Sequence, residues 1–263
     1  MKSVIILVLL SAVLFTFSTA GFAKEQILVG SFTLVKGKVS IQRGGEEKWE
    51  KAEVDMPVYP GDRVKTEAKS EAELILDDGS MLRIEEKTLI EIVDSRIEEG
   101  RGEEGKKSFL INLGIGKVLN NFKKLIHKES RCTIATTTAV AGIRGTEFSV
   151  ECTEDKTEVA VYEGEVEVAG KSEGVEKEAV KVSQDQQTTV EKGKAPLTPQ
   201  SLTEKARRYR ENVVARFHQR VEQNRMRLEE IRKRREAKIE AMKKKVQDLK
   251  ERTQKKIQQM KNR

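Results

Sequence analysis

From Ile27 to Val190 apolar and polar residues alternate with a period of two in short bursts, as in "LVKGKVSIQR", "AELILDDG", "MLRIEE", "TEVAVYEGEVEVAG" and "EAVKVS". Successive side chains of a strand point to opposite faces, so this pattern restricts the segment to strands with core on one side and water on the other. Asp78-Gly79 sits between two apolar runs in "LILDDGSMLRI", and such a dipeptide favours the positive φ of a tight hairpin. Asp77 and Asp78 would also suit a calcium loop, but further oxygen ligands at regular spacing are missing. Gly-x-Val opens a strand at Gly37, Gly116 and Gly164. Three occurrences predict repeated hairpin-like units in a sheet coiled or stacked on itself, although glycine before a β-branched residue is also how turns commonly feed strands. The hydrophilic stretches "RIEEGRGEEGKKS" and "AGKSEGVEKE" are expected to be exposed loops. In "KVLNNFKKLIHKE", Val118, Phe122, Leu125 and Ile126 share one helical face and predict a short helix.

After Pro199 the character changes, with neither Gly nor Pro to the end of the chain. Ser201-x-x-Glu204 offers a capping box, so a helix is expected to start near Ser201. Its apolar positions, among them Leu202, Ala206, Tyr209, Val213, Phe217, Val221, Leu228, Ile239, Val246 and Met260, recur at a mean spacing close to the 3.6 of a straight amphipathic helix. Unbroken, it would reach about 90 Å. One β-domain cannot bury that length, so part of the stripe is expected to face a second copy, another protein or a membrane surface. From Ser201 to Arg263 there are 22 Lys and Arg against nine Asp and Glu, a charge of +13, while the rest of the chain carries −6. Opposite signs in the two segments point to separate modules and to an anionic partner for the second.

The opening "MKSVIILVLLSAVLFTFSTAGFAKEQ" has one cation, an apolar run from Val4 to Phe17 and small residues up to Ala23. This is the pattern of a secretory signal peptide, and the apolar run is shorter than the roughly 20 residues of a membrane span. The expected organisation is a signal peptide over 1–23, a β-domain over 24–195 and a basic amphipathic helix over 196–263, in a periplasmic or otherwise exported protein. An oxidising compartment favours disulfides. If "RCTIATT" and "TEFSVEC" pair about a turn centred on Gly142, Cys132 faces Cys152, and a bridge closing that loop would contribute about 3 kcal/mol. Two buried free thiols are the alternative.

The segments "PGDRVKT", "DDGSMLRI", "TTTAVAGIRGTEFSV" and the Gly-x-Val strand after it together resemble the FecR family, the envelope domain first known from regulators of iron-dicitrate uptake. The likeness runs roughly from Val29 to Val190. Where members of that family carry proline in the threonine run, this chain has Thr138. The expected fold is mainly β, a compact sheet-rich FecR-like domain of stacked or coiled hairpins, followed by the long C-terminal α-helix that the spacing after Pro199 predicts. It implies a binding or scaffolding module of the envelope. Only Met1 to Ser3 precede the signal-like run, so the anti-sigma segment of the family's regulators is expected to be absent. In the motif Arg144, Gly145, Thr146 and Phe148, the guanidinium of Arg144 is expected to satisfy carbonyls or a carboxylate, with ligand capture as the alternative.

Material for catalysis is sparse. His127 and His218 lie in different modules, no Ser-His-Asp or Cys-His spacing occurs, and neither a metal site nor a cofactor is predicted. Paired carboxylates for sugar hydrolysis stay open, since acidic residues are everywhere. The expected function is that of an exported non-enzymatic protein whose cations at Arg207, Arg208, Arg210, Arg232, Lys233, Arg234, Arg235, Lys243, Lys244 and Lys245 dock it to an envelope protein or an anionic membrane surface. A homo-oligomeric scaffold or holdase built through the helix is the second reading, and a solvated helix the plain one. Nucleic acid is disfavoured, because it is scarce outside the cytosol and Tyr209 and Phe217 give little stacking surface.

Overall fold

The computed structural model describes residues 25–27, 30–98, 106–124, 130–143, 145–172 and 175–229, together with positions 233 and 244. The signal-like segment, Leu125, Ile126, His127 and Arg144 lie outside them. Strands are numbered in chain order. The first sheet runs β4 (Trp49–Lys51), β3 (Val39–Gln42), β6 (Arg63–Thr66), β9 (Leu89–Glu98), the first part of β10 (Lys106–Asn121), β11 (Arg131–Ala135), β12 (Ala139–Ile143), β15 (Glu165–Ser172) and β16 (Val175–Ser183). Next to β6, β1 (Glu25–Ile27) pairs with the far end of β9. The second sheet runs β5 (Pro57–Val58), β2 (Gly30–Lys36), β7 (Glu71–Leu76), β8 (Met81–Ile84), the second part of β10, β13 (Glu147–Cys152), β14 (Lys156–Glu163), β17 (Gln186–Glu191) and β18 (Gln200–Ser201). The fold is thus mainly β with a C-terminal helix, as the alternation predicts.

Between the sheets lies the main core, in which Phe32, Ile41, Val64, Leu74, Ile84, Ile90, Ile111, Val118, Phe148, Val159 and Val166 are all nearly inaccessible. A second apolar cluster forms on the outer face of the second sheet. There Ile75, Met81, Leu119, Ala160 and Tyr162 meet Leu202, Ala206, Val214, Phe217, Val221 and Leu228 of the C-terminal segment. The second sheet is therefore buried on both faces, and neighbours such as Leu74 and Ile75, or Val118 and Leu119, serve opposite cores.

The three Gly-x-Val sites mark the points where the chain passes from one sheet to the other. Gly37 links β2 to β3, Gly164 links β14 to β15, and Gly116 lies where β10 changes sheet. Each has positive φ (77°, 82° and 102°). Each follows the last paired residue of its strand, and each packs under a Ser or Thr that immediately precedes the neighbouring strand. A Cβ at these positions would stand 2.5 Å from Ser70 Oγ, 2.7 Å from Thr146 Cγ2 and 2.2 Å from Thr88 Oγ1, respectively. Two of the hydroxyls also accept the backbone N–H after the glycine, Lys38 N to Ser70 Oγ at 2.8 Å and Lys117 N to Thr88 Oγ1 at 2.9 Å. The residue before each hydroxyl, Lys69, Lys87 or Gly145, itself has positive φ. One local device thus recurs three times, turning the strand and seating it.

Several expectations are corrected. Cys132 and Cys152 are free, buried thiols. The turn lies at Thr136–Thr138, so β11 pairs with β12 and Cys132 faces Ile143, while β13 belongs to the other sheet. Along β10 the partners of the two cysteines are Phe109 and Gly116, roughly 20 Å apart at strand rise, far beyond the reach of a disulfide. The short helix predicted around Val118 is strand: Val118 and Phe122 are buried in the main core and Leu119 under the C-terminal helix. Of the two hydrophilic stretches, residues 96–98, 106–108, 169–172 and 175–178 are strand, as the ends of the β9–β10 and β15–β16 pairs, while 99–105 and 173–174 lie outside the described residues.

The hairpin at Asp78-Gly79 forms as predicted, with Gly79 at φ 83° and its N–H donating to Leu76 O at 2.8 Å. The helix begins two residues later than the capping box implies, because Ser201 is held in the β17–β18 ladder. Thr203 is the N-cap, its hydroxyl accepting from Ala206 N. Helix α1 (Glu204–Tyr209) leads into a π-helical turn over Arg210–Val214, and helical backbone continues to residue 229. Among the described residues no helix is long and apolar enough to cross a membrane.

Candidate functional site

The segments that carry the family likeness are seated by local chemistry. Asp62 of "PGDRVKT" is buried and accepts from Arg43 at 2.8 Å, from Tyr59 N at 3.0 Å and from Gly44 N at 3.0 Å, fixing the turn before β6. In the second motif Phe148 is fully buried in the main core. Gly145 approaches the backbone so closely that a Cβ would lie 2.3 Å from Lys124 Cα. Thr146 is buried, with its methyl under Gly164 and its hydroxyl without a hydrogen-bond partner among the described residues. Thr138, at the position of the family's proline, donates or accepts within a hydroxyl cluster with Thr157 Oγ1 at 2.7 Å and bonds Val190 O at 3.2 Å.

Glu147, between Thr146 and Phe148, faces outward toward the helix. So do Glu73, Arg83, Asn121, Ser149 and Tyr162, and together they form a polar floor under residues 204–229. Hairpin register places Glu73 opposite Arg83. Arg83 reaches three carboxylates, Glu73 and Glu85 at 2.8 Å and Glu71 more closely still. Burial opposes the Arg83 charge, but the hydrogen bonds and charge of its carboxylates outweigh it and hold the guanidinium above its ordinary value. From the helix, Arg220 clamps the inaccessible Glu73 through its Nε at 3.0 and 2.9 Å. Arg225 donates to Gly79 O at 2.9 Å and to Asn121 Oδ1 at 2.7 Å. Lys205 meets both oxygens of Glu151 at 2.9 Å. The Tyr209 hydroxyl donates to Glu85 at 2.7 Å, and Lys117 Nζ lies 3.6 Å over the Tyr209 ring.

Of the cations picked out in the sequence, Arg207 and Arg208 pair with Glu204 on their own helix, and Arg210 pairs with Asp185 of the body. Lys233 and Lys244 are exposed. Arg232, Arg234, Arg235, Lys243 and Lys245 lie outside the described residues, as does Arg144. The sequence pattern on its own does not single out the anchoring residues Arg220 and Arg225, nor Glu73 and Arg83 beneath them. Their signal was present, since a hairpin about Asp78-Gly79 puts Glu73 opposite Arg83 and leaves a charge pair on the face away from the core. His218, Glu147 and Glu163 also converge, with donor atoms all within 4.8 Å of one another.

Burial raises the Tyr162 phenol to about 12, and burial with the Glu85 charge raises Tyr209 further still. Burial likewise pushes the Cys132 thiol up to about 12. In the unfolded chain these groups release their protons near the model-compound values of about 10 and 9, whereas the native state holds them. Their stabilisation is complete below pH 9 and drains away as pH rises toward 12. The urea midpoint is therefore expected to fall steadily between pH 9 and 12. Tyr209→Phe should flatten that decline; an identical slope in the variant would show that the helix interface does not control it.

No curated protein matches the chain. Among solved structures it is similar to two crystal structures of a protein from Parabacteroides distasonis ATCC 8503 described as a "putative anti-sigma factor". They have 15% identity and TM-scores of 0.41 and 0.40, and each alignment covers 53% of this chain and 59% of the other. This chain thus spans about three fifths of the length of those proteins. Residues 62–167, from the buried Asp62 through the hairpin, β10 and the Gly145–Phe148 motif into β15, match the family model described as FecR protein, and this matched stretch lies within the two-sheet body.

Proposed function

We propose that this is an exported, non-enzymatic regulatory or scaffolding protein of the cell envelope, in which the FecR domain binds a partner and the end of the basic segment holds an anionic membrane surface. The observation that carries the reading is the division of charge within that segment. Residues 201–230 carry eight Lys and Arg against five acids, and Lys205, Arg210, Arg220 and Arg225 are committed to the body. Residues 231–263 carry 14 Lys and Arg against four acids. The first stretch is an intramolecular clasp, and the second brings a charge of +10 to whatever it meets. Each cation near an anionic surface contributes about 1 kcal/mol. The helix-mediated oligomer loses ground, because Val214, Phe217, Val221 and Leu228 of the apolar stripe are buried against the chain's own sheet.

The test is sedimentation of the exported form with phosphatidylglycerol vesicles across a salt series, beside the same chain truncated after residue 229. Binding should vanish in the truncated chain and weaken with salt, while the unfolding midpoint changes little. Equal binding by both forms, or binding indifferent to salt, would reject the surface-docking reading.

A further inference from the structure

Glu147 of β13 and Glu163 of β14 are register partners across a β-bulge. Like charges directly opposite each other on neighbouring strands are destabilising, and here one of the two, Glu147, is only 6% exposed. Its Oε1 accepts from Asn121 Nδ2 at 3.0 Å, which orients the carboxylate without neutralising it. Onto this pair the helix lowers His218, whose Nδ1 stands 3.5 Å from Glu147 Oε1. The neighbours of His218 on the helix, Phe217 and Val221, are fully buried, so the imidazole cannot drift away while the helix is docked.

We propose that Glu147, Glu163 and His218 form a binding site for a divalent transition metal of the zinc type, which fastens the C-terminal helix to the strand pair bearing the Gly145–Phe148 motif. One imidazole and two carboxylates are a donor set for zinc, and the imidazole sets the site apart from those of calcium and magnesium, which take oxygen ligands. The three donor atoms already lie within 4.8 Å of one another. A tetrahedral ion with bonds of about 2.0–2.2 Å requires them to close by roughly 1 Å. Glu163 is exposed and the His218 side chain half-exposed, so both can make that movement while Glu147 stays held by Asn121. The cation would lie between the opposed carboxylates, where the electrostatic cost is greatest. The sequence alone gave no reason to expect this, because the three ligands are 16 and 55 residues apart along the chain.

The experiment is calorimetric titration of zinc into the metal-stripped full chain, with calcium and magnesium as comparison ions. One zinc per chain is expected, with a rise of a few degrees in the unfolding midpoint at about a hundredfold excess over Kd. His218→Ala and Glu163→Gln should each weaken zinc binding at least about tenfold, as loss of a ligand from a three-ligand site requires. His127→Ala, which removes the other histidine, should leave it unchanged. Both ligand variants alter exposed side chains, so each is expected to fold and its apo unfolding midpoint serves as the check. Absence of zinc binding, or equal affinity in the His218→Ala and Glu163→Gln variants, overturns the proposal.

Discussion

Replacing Arg83 by methionine is expected to lower the unfolding free energy by about 3–5 kcal/mol, the cost of breaking a buried ion pair from one side. Arg83 is 6% exposed and Glu73 wholly inaccessible. Without the guanidinium, Glu73 retains Arg220 alone among the described residues, Glu71 retains Lys36 at 3.5 Å, and Glu85 retains the Tyr209 hydroxyl. The loss comes from uncompensated carboxylates rather than from lost packing, since methionine fills much of the same volume. Arg83→Met, Glu73→Leu and Arg220→Met combined should therefore be more stable than Arg83→Met alone, because a buried ionic group exchanged as a unit for apolar side chains is often neutral or better. Chemical denaturation of the two variants decides the matter. A single variant within about 1 kcal/mol of the parent, or a triple variant below the single one, would mean that the floor under the helix is hydrated rather than a closed ionic network.

The same residues show what was legible in the chain and what was not. Period-two alternation predicts the strands well because a face on water must be polar, and the second sheet breaks that condition by being covered twice. Its runs "LIL" and "VAVY" are continuous in apolar character, which is the signature of a strand buried on both faces. In "VLNNF" the spacing of Val118 and Phe122 imitates a helical face. It is in fact a strand with Val118 turned to one core and Leu119 to the other. The cysteine pairing failed on register: a turn shifted from Gly142 to Thr136–Thr138 sends the two thiols to different sheets. No local pattern fixes that choice, because it depends on β10 belonging to both sheets. The helix was legible from its period and the absence of Gly and Pro. Its docking against the body was not, since Arg220 and Arg225 look like any other cation until the acids beneath them are placed.

The recurring crossover device leads to the second large effect. Gly116→Ala is expected to cost about 4 kcal/mol, from left-handed backbone forced on a side chain together with overpacking. At φ 102° the added Cβ would sit 2.2 Å from Thr88 Oγ1 and 2.5 Å from Thr88 Cα. The second contact is with backbone and cannot be relieved by a rotamer change. It would also push Thr88 away from Lys117 N, whose N–H would lose its acceptor. Gly45→Ala is the internal control, with φ 79° but nothing within 4 Å of the new Cβ, so only the backbone term of about 1–2 kcal/mol applies. Gly164 separates the two contributions further, because its nearest obstacle is the Thr146 methyl at 2.7 Å. Thr146→Ser should recover part of the stability lost in Gly164→Ala, whereas Thr88→Ser should recover none of the loss in Gly116→Ala. Urea midpoints across this series, measured at one temperature, test the device as a whole. Equal losses at Gly45 and Gly116 would show that positive φ alone matters and that the hydroxyl seats are incidental to the sheet crossings.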